Sequence, residues 1–155
     1  MTLLLHTADW QIGRTYGGSV GRFEPEDAAA LAEARIATVE RLAQRAAERG
    51  AAAVLVAGDV FDAQAVSPRT IRRLFNALAP YLGPWVMIPG NHDAALAEGV
   101  WAEARRLQVL PPNLHLLLQP GVVELPALQL AVLGAPLTQR HTHDDTTAWF
   151  DHADT

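Results

Sequence analysis

The feature that most constrains the fold is a set of three short apolar runs separated by helical segments. The runs cover residues 3–6, 53–57 and 85–88. Each is short and free of acidic and arginine side chains, which is typical of strands buried on both faces of a sheet. The order strand, helix, strand, helix, strand predicts parallel strands joined by right-handed crossovers. The sequence therefore predicts an α/β fold with a β-α-β-α-β parallel start.

The intervening helices have recognisable start and stop signals. The first is predicted from Glu26 to Arg49, because acidic residues favour its N-terminal end and arginines its C-terminal end. The second is expected to begin at Ser67-Pro68, where serine suits the cap and proline the first turn, and to end by Pro80. A short third helix is expected near residues 98–107.

The pattern changes after Pro111-Pro112, where short apolar runs follow one another closely. We expect three further strands here, at residues 114–118, 122–125 and 128–133. The short connections between them favour antiparallel pairing. No repeat, low-complexity segment or linker in the sequence calls for a second domain.

The composition is that of a globular protein, since 50% of the 155 residues are hydrophobic and 19% are charged. There is no cysteine, so any metal ion must be held by oxygen and nitrogen ligands. The net charge of −5 argues against a broad basic surface for nucleic acid, but not against an enzyme that grips phosphate through metal ions and a few arginines. Without a signal peptide or a membrane-length apolar run, we expect a cytoplasmic protein with no membrane association.

Each of the first three predicted strands is followed by polar residues that suit a divalent cation. These are Asp9 and Gln11, then Asp59 and Asp62, then Asn91, His92 and Asp93. Any one of these groups also fits an ordinary polar turn. The carboxyl ends of parallel strands meet at one edge of a sheet, however, and ligands bind there. Three such groups in succession therefore favour one shared metal site.

The residue types suggest how such a site works. Carboxylates gathered at one edge repel each other, and divalent cations remove that penalty. Two cations sharing one carboxylate can polarise a phosphoryl group and activate water. We expect Asp9 to be a terminal ligand of one metal, Asp59 to bridge the two and Asn91 to bind the second. His92 then need not be a ligand, and can hydrogen-bond the phosphate or protonate the leaving oxygen as a catalytic residue.

The three motifs Asp9-x-Gln11, Gly58-Asp59-Val60-Phe61-Asp62 and Gly90-Asn91-His92-Asp93 resemble the first three motifs of the calcineurin-like metallophosphoesterases. The stretch from His6 to Gly13 is similar to that of the SbcD-type exonucleases of DNA repair. The resemblance implies an αββα sandwich and a two-metal phosphodiesterase that most often uses manganese, with magnesium as an alternative. It also implies DNA as substrate and an SMC-like ATPase as partner.

The first departure from the family pattern is Gln11, which stands where the family usually has a histidine. An amide oxygen is a weaker and harder ligand than imidazole. Gln11 either binds the first metal or hydrogen-bonds a water molecule at that site. This residue also motivates an alternative, in which the chain is a degenerate, non-catalytic binding module. A phosphatase or a cyclic-nucleotide phosphodiesterase on the same scaffold is a further alternative.

The second departure is that a later Gly-His-x-His motif of the family is not found up to Thr155. His141-Thr142-His143 has the spacing, but Arg140 replaces the glycine, and a solvent-exposed loop is the favoured interpretation. We therefore expect residues 1–155 to be the N-terminal portion of one metallophosphoesterase domain. Such an incomplete sandwich is expected to be inactive alone and to have exposed strand edges that favour self-association.

Two further sets of residues have a functional and an ordinary interpretation. The glycine-containing loop after the first strand carries Arg14, Tyr16 and Arg22. These residues either grip substrate phosphate or belong to a solvated loop. Near the metal motifs, Asp62 can support Asp59 or its loop and Asp93 can orient His92, and a turn role is open for both.

Overall fold

The computed structural model describes residues 2–16 and 23–154. Within these ranges a four-stranded sheet contains β1 (Leu4–Thr7), β2 (Ala53–Ala57), β3 (Trp85–Ile88) and β4 (Leu114–Leu116), in that spatial order. The helices are α1 (Pro25–Glu48), α2 (Pro68–Ala77) and α3 (Val100–Arg106). A separate two-stranded sheet is formed by β5 (Gly121–Leu125) and β6 (Leu130–Gly134). Short 3-10 turns occupy Pro126–Leu128 and Ala148–His152.

The first sheet is parallel throughout, which confirms the predicted β-α-β-α-β start. One row across it runs from Leu5 to Val54, Trp85 and Leu114. These side chains belong to the larger core, beneath the helices. Because side chains alternate along a strand, the next residue of each strand points to the opposite face. There Val86 packs with the hairpin of β5 and β6 in a smaller core.

Two predictions about strands were wrong. β4 was expected to pair antiparallel, but it runs parallel to β3, with Leu114 opposite Trp85. The long connection through α3 returns the chain to the same end of the sheet, as a parallel crossover requires. β1 was expected to be buried on both faces, but it forms an edge of the sheet, and Leu3 and Leu4 beside its open side are 43% and 37% exposed. The antiparallel pairing predicted for the later strands is confirmed for β5 and β6.

Helix α1 lies against the sheet by an apolar stripe. Val39, Ala43 and Ala46 are its buried residues, and their spacing of three and four places them on one face. Acidic residues in its first turn and Arg45 in its last turn agree with the helix dipole. No helix within the described part of the chain combines the length and the apolar character needed to cross a bilayer.

Helix α2 provides a direct test of the predicted cap. Ser67 Oγ accepts a hydrogen bond from the Thr70 backbone N–H at 3.1 Å. Ser67→Ala removes this acceptor, so we expect the free energy of unfolding to fall by about 1 kcal/mol. Urea unfolding measures the change, and Ser67→Asp, which restores an acceptor, is the matched control. Equal stability of Ser67→Ala and wild type would contradict the assigned cap.

Candidate metal centre

The loops that follow β1 and β2 run side by side beyond the carboxyl ends of the strands. The Asp9 backbone N–H donates to the Gly58 carbonyl at 3.1 Å, and the Gln11 N–H donates to the Asp59 carbonyl at 2.9 Å. These bonds continue the parallel pairing of the two strands into their loops. They bring the first and second groups of predicted ligands together at one edge of the sheet.

Three of the predicted ligands have strained backbones. Asp9, Gln11 and Asp59 adopt φ angles of 56°, 46° and 51°. Residues with a Cβ atom occupy this left-handed region at a cost of about 1–2 kcal/mol each. The backbone hydrogen bonds between the two loops hold the residues there. Strain concentrated at adjacent polar residues is a feature of functional sites, so it favours a shared role for these three side chains.

The loop after β3 closes against Asp59. The Asp59 side chain is buried, and its Oδ1 accepts the His92 backbone N–H at 2.9 Å. Gly90 makes this approach possible, because a Cβ there would lie 2.2 Å from Asp59 Oδ1 and 2.5 Å from the Asp59 backbone nitrogen. The third group of predicted ligands is therefore held directly beside the second.

Asp93 links the loop after β2 to the loop after β3. It is fully buried, and its carboxylate accepts the Gly90 N–H at 2.7 Å and the Phe61 N–H at 3.2 Å. Burial raises the pKa of the Asp93 carboxyl, and the backbone hydrogen bonds from Gly90 and Phe61 oppose that rise. The hydrogen bonds of Asp93 thus go to backbone amides and not to the His92 ring.

The His92 ring is oriented by Asp62. Nδ1 lies 3.0 Å from the Asp62 carbonyl oxygen and 4.0 Å from Asp62 Oδ1. A carbonyl oxygen only accepts hydrogen bonds, so the proton of a neutral imidazole belongs on Nδ1. Nε2 is then the nitrogen left for a ligand. The sequence placed Asp62 and His92 in the same site but did not indicate this pairing.

Gln64 is a positioning residue that sequence reasoning missed. Its amide nitrogen donates to the carbonyl oxygens of His92 at 3.4 Å and Ala94 at 3.1 Å. Its Oε1 accepts the Val100 backbone N–H at 3.3 Å. Gln64 therefore links the loop after β2 to both the His92 loop and the start of α3. A glutamine in a loop, with no motif around it, carries no sequence signal for such contacts.

Of the three predicted substrate-binding residues, Arg14 alone has a contact with the metal motifs in the described part of the chain. Arg14 Nη1 donates to Gln11 Oε1 at 2.5 Å and lies 4.0 Å from Asp62 Oδ1. The amide oxygen proposed as a metal ligand is thus engaged by a guanidinium. Tyr16 contacts helix α1, where its hydroxyl accepts a hydrogen bond from Arg35 Nε. Arg22 lies outside the described residues.

The side chains at this edge are of the type that binds a hard divalent cation, but there are few of them. Asp9 and Asn91 are exposed at the edge of the sheet and Asp59 lies beside them, so three oxygen-bearing side chains are available. Magnesium and manganese prefer such ligands, and water and substrate oxygens commonly complete their coordination. Within residues 2–16 and 23–154, however, no three histidine, aspartate or glutamate side chains lie together in a metal-holding group. The residues present fit part of a metal site.

The fold and these motifs agree with a comparison against known families. The model of the calcineurin-like phosphoesterases matches residues 2–151. The chain belongs to this family, whose members usually bind divalent metals. Its parallel sheet with a small antiparallel sheet forms part of the metallophosphoesterase fold.

One known protein gives a more specific similarity than the family does. The SbcD component of the SbcCD nuclease from Rhodobacter capsulatus is 40% identical to the chain over 98 residues. The match covers 59% of this chain and 22% of the relative. The chain thus spans about a fifth of the length of the relative it matches.

Proposed function

We propose that the protein hydrolyses phosphodiester bonds in DNA with two divalent metal ions, manganese being preferred and magnesium an alternative. The observation that carries the proposal is the meeting of the strained Asp9 and Asp59 with the Asn91-His92 loop. Similarity to a component of a nuclease supports DNA as the substrate. Membership of the phosphoesterase family supports the class of reaction.

The metal ligands are assigned by their position at the sheet edge. Asp59 lies between the loops that carry Asp9 and Asn91, so it is the carboxylate placed to serve both metals. Asp9 serves the first and Asn91 the second. The bound cations would supply charge that stabilises the phosphoryl transition state. Further ligands come from parts of the intact protein beyond residues 1–155, which form the N-terminal portion of the domain in this proposal.

His92 acts on the substrate through Nε2. The Asp62 carbonyl fixes the ring and its tautomer, as a supporting group does for a catalytic imidazole. In the neutral form, Nε2 accepts a hydrogen bond; in the protonated form it donates one to a phosphate oxygen or gives its proton to the leaving oxygen. Arg14, which already reaches Gln11 and Asp62, is an arginine placed to hold the phosphate.

The test is a manganese-dependent nuclease assay of the intact protein on duplex ends. His92→Ala is expected to reduce cleavage by a factor of about 10² to 10⁴, the usual contribution of a general acid or base. His143→Ala is the matched control, because His143 is an exposed histidine outside the three motifs, and it should cleave like wild type. Undiminished cleavage by His92→Ala would refute its assigned role. Faster turnover of small phosphodiesters or phosphomonoesters than of duplex ends would favour a phosphatase or cyclic-nucleotide phosphodiesterase instead.

A second candidate, a binding module with a degenerate metal site, is favoured by the Gln11–Arg14 hydrogen bond. An oxygen held by a guanidinium is a poor metal ligand, since the cation must displace the arginine. Calorimetric titration of the intact protein with manganese separates the candidates. Binding of two manganese ions would support the enzyme. Absence of manganese binding would support the binding module. The isolated 155-residue chain is expected to bind manganese weakly.

The partners follow from the same relationship. We place the intact protein in a complex with an SMC-like ATPase on DNA, because its relative is one component of a nuclease. The isolated chain also has an open edge at β1, flanked by the partly exposed Leu3 and Leu4. Such an edge favours self-association of the isolated chain.

A further inference from the structure

A cavity of about 420 Å³ opens beside the proposed metal centre, between α1 and residues 7–16. Its floor is the apolar face of α1, formed by Leu31, Val39 and Leu42, and its walls include Asp9 and Trp10. Of the residues assigned to the proposed metal centre, Asp9 alone lines this cavity. Its volume falls within the range of small-molecule sites, which is roughly 300–1,000 Å³.

Among the described residues, Arg35 is the one basic residue that lines this cavity. Its Nε donates to the Tyr16 hydroxyl and its Nη1 to the Trp10 carbonyl at 3.0 Å. Its guanidinium carbon lies 5.6 Å from the centre of the Tyr16 ring. Because neutral groups hold the side chain in place, little rotamer freedom remains to be lost when it binds a ligand.

The charge of Arg35 is not balanced by an acidic side chain in the described ranges. Arg14 beside the metal motifs lies 4.0 Å from Asp62 Oδ1, whereas Arg35 has a hydroxyl and a carbonyl as partners. A fixed guanidinium at the wall of an apolar cavity is suited to a ligand that has two parts. An apolar part fills the cavity, and an anionic part binds the guanidinium. Because Asp9 lines the same cavity, the apolar part would lie next to the reacting phosphate.

We propose that this cavity binds the nucleoside next to the scissile phosphate, and that Arg35 binds the following phosphate of the same strand. The inference rests on the proposed phosphodiesterase function and adds a subsite to it. The apolar wall accepts base and sugar without reading a hydrogen-bond pattern, so it is tolerant of sequence. It favours an unpaired nucleotide, since a paired base must first be unstacked and unpaired before it can enter a cavity.

The test uses three chromogenic substrates of the intact protein with manganese. They are methyl p-nitrophenyl phosphate, thymidine 5′-(p-nitrophenyl phosphate) and the same thymidine ester carrying a 3′-phosphate. They share the leaving group, so ratios of kcat/KM isolate the nucleoside and the second phosphate. We expect each addition to raise kcat/KM of the wild type by about tenfold, as one charge-assisted hydrogen bond or one buried ring does.

The variants separate the two parts of the subsite. In Arg35→Ala, adding the 3′-phosphate should no longer raise kcat/KM. In Ala34→Phe, whose larger side chain fills part of the cavity, adding thymidine should no longer raise kcat/KM. Arg41→Ala removes an exposed arginine of the same helix and should keep both gains. Partial misfolding lowers all three rates by the same factor, so the ratios report only the folded molecules. Wild-type ratios in both Arg35→Ala and Ala34→Phe therefore overturn the proposal.

Failure of the proposed function is distinguishable from failure of the subsite. If the wild type hydrolyses all three esters equally well, the proposed subsite is refuted and the proposed phosphodiesterase function stands. Absence of turnover of every diester overturns the phosphodiesterase, and calorimetric binding of thymidine 3′,5′-bisphosphate then decides the subsite alone. Binding that Arg35→Ala weakens about tenfold supports it, and binding indifferent to that change refutes it.

Discussion

Gly90→Ala is expected to reduce the proposed phosphodiesterase activity of the intact protein by about two orders of magnitude, the usual result of displacing a reacting group by about an ångström. A methyl group at this position would lie 2.2 Å from Asp59 Oδ1 and 2.5 Å from the Asp59 nitrogen. One of these contacts is with backbone, so a rotamer change alone does not relieve the clash. The His92 loop must move away from Asp59, and the proposed ligands separate.

The same substitution elsewhere is an informative control. Gly121→Ala places its Cβ 3.5 Å from the nearest atom, Leu117 Cδ2, which is an ordinary contact. It should retain wild-type activity and melting temperature. Nuclease assays with manganese and thermal unfolding of both variants measure the difference. Wild-type activity in Gly90→Ala would show that close packing of this loop on Asp59 is not needed for function.

The sequence was most informative where one local signal decided the structure. β2 and β3 occupy the predicted residues, because each is an apolar run that ends at Gly58 or at Pro89-Gly90. Helix α2 begins at the predicted cap, since Ser67 satisfies a backbone donor within its own turn. These interactions join residues close together in the chain. Their residue types therefore determine them almost without tertiary context.

The direction of β4 depends on a distant partner. A run of three residues is compatible with either orientation, and it is the pairing with Trp85 and Val86 that makes it parallel. Local propensity has no bearing on such a choice, which is settled by the path of the preceding helix. The exposure of β1 has a similar origin, since an apolar strand does not indicate whether it has one neighbour or two.

The candidate site shows the same division. Parallel strand order was enough to predict that Asp9, Asp59 and Asn91 share one edge of the sheet. The left-handed backbones of Asp9 and Gln11 depend on hydrogen bonds between the loops after β1 and β2. The contacts of Gln64 join residues about thirty positions apart. Sequence chemistry therefore suggests the ligand types, and the tertiary contacts decide which atoms remain available.

Asp93→Ala is expected to have the largest effect on stability. It would leave the Gly90 and Phe61 N–H groups without their acceptor, and Phe61 is fully buried. An unsatisfied buried donor costs about 1–3 kcal/mol, so the free energy of unfolding should fall by about 2–5 kcal/mol for the pair. The raised pKa of Asp93 shows that burying the carboxyl has its own cost, which places the net loss below a simple sum.

Urea unfolding followed by tryptophan fluorescence measures the loss as a lower midpoint at an unchanged slope. Asp93→Asn should lie between Asp93→Ala and wild type, because its amide oxygen accepts one of the two bonds while its NH₂ group faces the other donor. Asp144→Ala, at an exposed position, controls for the loss of one negative charge. A change below about 1 kcal/mol in Asp93→Ala would mean that water replaces the carboxylate at both amides. In that case Asp93 is not what holds the His92 loop against Asp59.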